Sequence, residues 1–397
     1  MSGGPLLEIS TNFGQQAERL TTQPQVTFWK QVYRRHTNFA QEDIQVTFTG
    51  SVGFDKKMTA TIPRSADLIY KMYLYATLPT LTFTTGTGAW TRNIGNVLIK
   101  SAKVDIGPTT IQEFSGIWMY VWHQVSEEIG HIDTYNYLTG NTTTLTTAAS
   151  SIATANLKIQ RPGLALPLLA ISFADTRITI ETRRITECVA MSSGAVYTVG
   201  SEFDASLWVR YIHLDENERL SLTQKPMEIL YEDTQFTGTE TITGKTGRMR
   251  IQHVHPIKSF YLLFNSQENQ DLNRWTDFTD NGSGNNPYNG NNPLSTLKMQ
   301  IYNTDRFSLQ DGDYFNFRQP YDHFKKSPAV GINSYHHCLN PLQHQPSGTI
   351  NMSKVDNAAF VYELTATPAT QTYCYMFSVN YQVVKILNGL AGKGFAN

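Results

Sequence analysis

Hydrophobic and polar residues alternate along most of this chain. Ile44, Val46 and Phe48 fall on one side of an extended segment and Gln45, Thr47 and Thr49 on the other, the pattern of a half-buried strand. The same two-residue period returns at 58–62 (MTATI), 177–182 (RITIET) and 206–214 (SLWVRYIHL). Denser apolar runs stand at 68–75 (LIYKMYLY) and 97–107 (VLIKSAKVDIG). Beyond Pro226 the texture repeats at 227–232, 248–254, 258–264, 297–302, 359–366 and 373–387. Val, Ile, Thr, Tyr and Phe supply these runs, as pleated, half-buried surfaces favour. Many short strands without long amphipathic helices predict an all-β sandwich or barrel, not a βαβ sheet. One helix is predicted over 114–128, where Ile117, Tyr120, Val121 and Val125 recur near helical spacing. It is expected to be a connection, outside the core layers. Two long loops are expected, a Thr/Ala/Ser-rich one at 136–156 and an Asn/Gly/Pro-rich one at 266–296. Loops of that length are usually functional or mobile.

The two halves echo each other in order. Pro63-Arg64-Ser65 precedes LIYKMYLY, and Pro256-Ile257-Lys258-Ser259 precedes FYLLF. Lys103-Val104-Asp105-Ile106 leads to Phe114, and Lys298-Met299-Gln300-Ile301 leads to Phe307. The shared order implies two copies of one β-domain. The charged, proline-ended segment Asp215 to Pro226 is the expected junction. The expected division is an arm over 1–25, a first β-domain over 26–215, and a second over 216–397 with a C-terminal tail.

With 397 residues the chain is long enough for two domains of ordinary size. Charged residues make up 16%, against roughly 25% in average soluble proteins. A surface poor in charge fits a chain that hides much of itself in an assembly. The net charge of −1 and the lack of any basic block give no footprint for a nucleic-acid groove. Cys188, Cys338 and Cys374 are too few and too scattered for a disulfide framework or a zinc site, and fit a reducing compartment. The N-terminus lacks the pattern of a secretory signal, and no window matches the roughly 18 apolar residues of a membrane helix.

Candidate chemistry is thin. His253-Val254-His255, if on a strand, would point two imidazoles the same way, and Gly247 stands six residues before His253, as in the opening of a cupin metal motif. The other ligand places hold Ser259, Phe260 and Asn351, so no complete ion site is expected. His336, His337, Cys338 and His344 match no closed zinc spacing, and the run from Asn340 to Gly348 reads as a turn. Glu127-Glu128, Glu187, Asp215-Glu216 and Asp311/Asp313 are carboxylates of the kind used in acid–base pairs, but turn chemistry accounts for them as well. No catalytic residue, cofactor or metal is expected. Asn141, Asn281 and Asn351 satisfy the N-glycosylation pattern. Phe28, Trp29, Lys30, Arg34, Arg35 and His36 combine aromatics with fixed positive charge ahead of the first strand. They are expected to make inter-subunit or shell contacts, with pairing to Glu42 or Asp43 as the competing role.

The segment PQVTFWKQVYRRHTNFAQE (24–42) resembles the entry segment of the double jelly-roll major capsid proteins of large eukaryotic double-stranded DNA viruses and their smaller relatives. The resemblance continues through IPRSADLIYKMYLYATLP, LPLLAISFADTRITIE, YIHLDENER, DRFSLQDGDYF, NPLQHQPSGTINMSKVDNA and YQVVKILNGLAGKGFAN. It implies two tandem eight-stranded antiparallel jelly rolls with long inserted loops. It further implies a structural protein of the virion capsid, made in the host cell cytoplasm. Such a chain would homotrimerise into a pseudo-hexagonal capsomer that tiles an icosahedral shell. Its partners would be itself, neighbouring capsomers, and minor capsid and vertex (penton) proteins, with an inner membrane in reach of the N-terminal arm and no sequence-specific nucleic-acid binding. By the same resemblance the long loops face outward and the arm inward. The rival expectation is a jelly-roll carbohydrate-binding or cupin-like metal-dependent protein, with Trp275 and Tyr288 as exposed sugar platforms.

Overall fold

The computed structural model describes residues 3–11, 14–15, 18, 23, 35–149, 151–152, 155–161, 165–200, 203–224, 226–280 and 288–395. Met1–Phe39 forms one unit and Ala40–Asn397 another. The first contains helix α1 (Gly4–Thr11), which opens with Pro5, a residue preset for a first helical turn. Leu6, Leu7 and Ile9 on it are exposed. Phe28, Trp29, Lys30 and Arg34 lie outside the described residues, and Arg35 and His36 are exposed in irregular backbone.

The larger unit is built from sixteen principal strands. The first eight are β1 (Phe39–Val46), β2 (Lys57–Thr61), β3 (Leu68–Leu78), β4 (Ile99–Ile106), β5 (Thr109–Phe114), β6 (Ala155–Arg161), β7 (Thr176–Thr182) and β8 (Asp204–Leu214). They make two sheets, ordered β1-β8-β3-β6 and β2-β7-β4-β5. The second eight are β9 (Met227–Ile242), β10 (Thr246–Arg250), β11 (Pro256–Ser266), β12 (Leu294–Ile301), β13 (Thr304–Asp305), β14 (Ile332–His336), β15 (Ala358–Leu364) and β16 (Thr372–Leu387). Their sheets run β9-β16-β11-β14 and β10-β15-β12-β13. Adding eight to each number of the first half reproduces the second. The chain is two antiparallel jelly rolls in tandem, and among the described residues no sheet mixes strands of the two halves.

The echoes in the sequence fall on equivalent strands. Lys103–Ile106 lies on β4 and Lys298–Ile301 on β12, each leading into the short partner strand of a hairpin. Pro63 precedes β3 and Pro256 begins β11. The junction is not a bare linker. It carries helix α3 (Glu216–Gln224), whose charged sequence has no apolar stripe and no buried residue. Arg219 ties it back to Asp67 at 3.0 Å.

Three expectations need correction. The predicted helix forms as α2 (Gly116–Ser126), capped by the Ser115 hydroxyl accepting from the Trp118 N–H, but it is part of the core. Trp118 and Tyr120 belong with Ile117, Val121 and Val125 in one buried cluster. The 136–156 stretch is not one loop. It is entered through helix Ile132–Leu138 and holds helix Thr143–Thr146, strand Ser151–Ile152 and the first residues of β6. Leu145 and the Tyr135 ring, whose hydroxyl accepts from Asn96 Nδ2 at 2.6 Å, anchor it, and neither anchor follows a period. Glu42 and Asp43 are matched to β8, with His213 at 3.0 Å and Arg210 at 2.7 Å.

Candidate functional site

Among the described residues, the candidate side chains do not converge on a catalytic set. His253 and His255 are not on a strand; they lie in the irregular segment before β11, because His255 takes a left-handed backbone (φ 72°) and breaks the alternation. His253 stacks on Phe260, with centroids 6.2 Å apart, and burial pushes its pKa down to about 4. His336 ends β14, with its Nδ1 3.0 Å from Ser259 Oγ. Among the described residues, no three His, Cys, Asp or Glu side chains stand together as metal ligands. Glu127 meets His131 at 2.9 Å, Glu128 meets Lys325, and Arg183 lies 3.9 Å from Glu187. Asn141 donates to Asn136 Oδ1 at 3.1 Å, Asn351 accepts from the Ser353 N–H at 3.1 Å, and Asn281 lies outside the described residues.

The sugar-platform expectation fails on packing. Trp275 donates its indole N–H to the Glu187 carbonyl at 2.9 Å and lies under the Arg183 guanidinium at 4.3 Å. Tyr288 lies under Arg92, also at 4.3 Å. Burial pushes its hydroxyl up to about 12. Both rings belong to the second roll and are spent on contacts with the first.

Those contacts lead to the most developed feature of the molecule, a seam between the rolls. Its centre is Trp118 on α2. The indole sits 5.3 Å from the Tyr261 ring on β11 and 5.2 Å from the Phe377 ring on β16. Such aromatic contacts add about 0.5–1.5 kcal/mol each beyond the area they bury. Alternation explains the geometry. On β11, Phe260, Leu262 and Phe264 point into the sandwich of the second roll. Tyr261 and Leu263, with Tyr375 and Phe377 of β16, point out of it and into the cluster containing Trp118. The run from Ile257 to Asn265 is therefore buried on both faces.

A second apolar cluster closes the seam elsewhere, with Ile106, Ile111, Ile171 and Ala174 against Val384 and Ile386. Polar bonds fix the register. Tyr231 OH donates to the Ile111 carbonyl at 2.9 Å, and Gln112 Nε2 donates to the Glu232 carbonyl at 3.0 Å. Asn273 Nδ2 donates to the Thr186 and Val189 carbonyls at 2.7 and 2.8 Å. The Phe173 N–H donates to the Gly389 carbonyl at 3.0 Å. Gly389 has φ +78°, and a Cβ there would stand 2.6 Å from the Phe173 ring, so no other residue fits the close approach.

Beneath the seam lies one fully buried charge. Lys258 is 0% exposed and donates to Glu232 Oε1 at 2.5 Å and to the Pro341 carbonyl at 2.7 Å. His344 Nδ1 stands 3.7 Å from the same carboxylate oxygen. Periodicity could not have found this group, because Lys258 opens a run that reads as ordinary strand.

The two matching rolls have counterparts in known proteins. Residues 27–215 match the family model described as major capsid protein N-terminus, and residues 218–392 match that of the large eukaryotic DNA virus major capsid protein. The chain is 31% identical over 427 residues to the major capsid protein of Pyramimonas orientalis virus, covering 100% of both chains. It is 30% identical over 447 residues to that of Paramecium bursaria Chlorella virus 1, again covering 100% of both. Among solved structures, PBCV-1 VP54 superposes with a TM-score of 0.80 at 27% identity, over 94% of this chain and 100% of that one. The Faustovirus major capsid protein shares the fold at 10% identity, with a TM-score of 0.78 over 96% of each chain. By sequence over its whole length and by fold, the chain belongs to the major capsid proteins of large eukaryotic DNA viruses.

Proposed function

We propose that this major capsid protein homotrimerises into a pseudo-hexagonal capsomer that tiles an icosahedral shell. The observation that carries the reading is the seam. Two topologically equal rolls share one buried cluster, so one chain supplies two sides of a six-sided block. A three-fold axis would complete the block, since closed rings form when each chain presents complementary faces. The functional division follows the expected one, with arm 1–25, first roll 26–215 and second roll 216–397. The protein acts as a building part and not as an enzyme, within the virion capsid, after synthesis in the host cytoplasm.

Within the same proposal the arm and the segment Phe28, Trp29, Lys30, Arg34, Arg35 and His36 make inter-subunit or shell contacts. Support comes from the exposed apolar side chains of α1, which give a short segment something to bury on minor capsid proteins, vertex proteins or an inner membrane. Asn141, Asn281 and Asn351 are the acceptors for any glycan.

Sedimentation equilibrium of the purified chain, followed by negative-stain imaging, tests the reading. Trimers with a six-sided outline are expected. A monomer at every concentration would overturn it. Deleting residues 1–23 should leave trimers intact and impair shells.

A further inference from the structure

The second roll's outer sheet face is buried within the chain, and the first roll's equivalent face is only half-buried among the described residues. In the second roll, Tyr261 on β11 stands directly across from Phe377 on β16. Both are buried, 0% and 1% exposed, under Trp118. In the first roll, the equivalent strands are β3 and β8, and Tyr73 stands directly across from Trp208. Those rings stack with centroids 6.1 Å apart and planes within 2°. They are only half-buried, and they look away from the cluster formed by Leu74, Ala76, Leu207 and Val209. The flanking Arg210 is engaged by Asp43 at 2.7 Å, so the platform is an aromatic pair beside a neutralised charge.

The cover has its own equivalent. α2 follows β5, and the matching insertion after β13 holds a helical turn Tyr314–Arg318 that runs into α4 (Gln319–His323). One side of this element, Phe315, Asn316, Gln319 and Pro320, is buried against its own roll. The other side presents Phe317 at 48% and Tyr321 at 77% exposure. It is the counterpart of the α2 face that carries Trp118.

We infer that the Phe317/Tyr321 face of one copy covers the Tyr73–Trp208 platform of a second copy. The contact between chains thereby repeats the seam within the chain. The occupant is a second copy because the chain already shows one such helix on one such platform, and each copy carries the unused half of another pair. A head-to-tail contact of this kind closes into a ring when the rotation allows. This inference rests on the trimeric reading above and adds the residues to it.

The test uses the full-length chain. Phe317→Glu with Tyr321→Glu alters the helix face, and Trp208→Glu, or Trp208→Ala where the charge impairs folding, alters the platform. Each variant should weaken trimerisation by roughly tenfold or more, the loss expected for an aromatic anchor, while melting of the separated chain stays near wild type. Mixed in equal amounts, the helix variant and the platform variant retain one intact half each, so they should pair as dimers and stop there. Variants that trimerise as tightly as wild type would overturn the inference and leave the trimer standing. A wild-type chain that never trimerises would overturn both.

Discussion

β3 and β11 occupy the same place in two equal rolls, and their sequences read alike, yet they are buried differently. LIYKMYLY on β3 keeps Ile69 and Leu74 inside and leaves Tyr70, Lys71, Met72, Tyr73 and Tyr75 half-buried. From Ile257 to Asn265, every residue of β11 is buried. The difference comes from what packs on the outer face: Trp118 and its helix lie over β11, and among the described residues of Ala40–Asn397 no equivalent helix packs on the Tyr73–Trp208 pair of β3 and β8. Apolar runs on paired jelly-roll sheets therefore report on assembly as well as on the core. The burial of β11 also imposes a constraint that β3 escapes, because polar groups caught there, Lys258 above all, must be satisfied inside.

The strongest way to break the comparison is to strand that charge. Glu232→Ala leaves Lys258 buried with the Pro341 carbonyl but without its carboxylate, which should cost about 3–5 kcal/mol. Urea unfolding would show it as a lower midpoint. Pairing Glu232→Leu with Lys258→Met should recover much of the loss, since apolar replacement of a buried pair is often neutral. A double variant as weak as the single one would mean the pair is required by geometry and not by charge.

Next in size is the cover itself. Trp118→Ala removes a buried ring from both Tyr261 and Phe377 and should cost about 3–5 kcal/mol, with the two rolls unfolding less cooperatively. Trp208→Ala, at the equivalent place on the half-buried face, should cost no more than about 1 kcal/mol in the separated chain. Calorimetry on both variants would sharpen the contrast, and equal losses would erase it.

Acid should weigh on the rolls unequally: burial pushes one histidine of the first roll, His123, down to about 3, and depresses three of the second. Burial holds His253 and His337 of the second roll at a pKa of about 4, and His336 well below its ordinary value. A depressed histidine binds its proton more weakly in the folded state than in the unfolded one. Its stabilising contribution is therefore complete above about pH 6.5 and is lost as pH falls toward 4, by about 3 kcal/mol for a group such as His253. His253→Phe, which keeps a ring against Phe260, should flatten the acid limb of the stability profile between those values. An unchanged limb would place the acid sensitivity elsewhere.

Much of the architecture could be read along the chain, because alternation and the ordered echoes are local signals. Lys103–Ile106 and Lys298–Ile301 sit on equivalent strands as their shared order implies. The seam was illegible for a physical reason. Trp118 is not among the positions, Ile117, Tyr120, Val121 and Val125, that mark the helix, and its partners, Tyr261 and Phe377, come from the other roll. Trp275 and Tyr288 misled because Asn/Gly/Pro-rich sequence marks a loop without saying where its aromatics dock. The turn at His253 to His255 was hidden by apolar neighbours that continue a strand's composition while His255 breaks its backbone.

The smallest effect is expected in that second long loop, and it divides the loop in two. The Tyr288 N–H donates to the buried Asp277 carboxylate at 2.8 Å, and the Asn291 N–H donates to Asp280 Oδ1 at 2.8 Å, so residues 288–292 belong to the packed body. Asn292 adds a buried bond to Asn333 Oδ1 at 2.8 Å. Deleting 282–292 would remove these ties and should lower the melting temperature by several degrees, about 1–2 kcal/mol. Replacing 282–287 alone by a short Gly/Ser bridge should change stability by less than about 0.5 kcal/mol, since loop length enters only logarithmically. If the shorter replacement costs as much as the longer deletion, the ties made by Tyr288, Asn291 and Asn292 do not account for the loss.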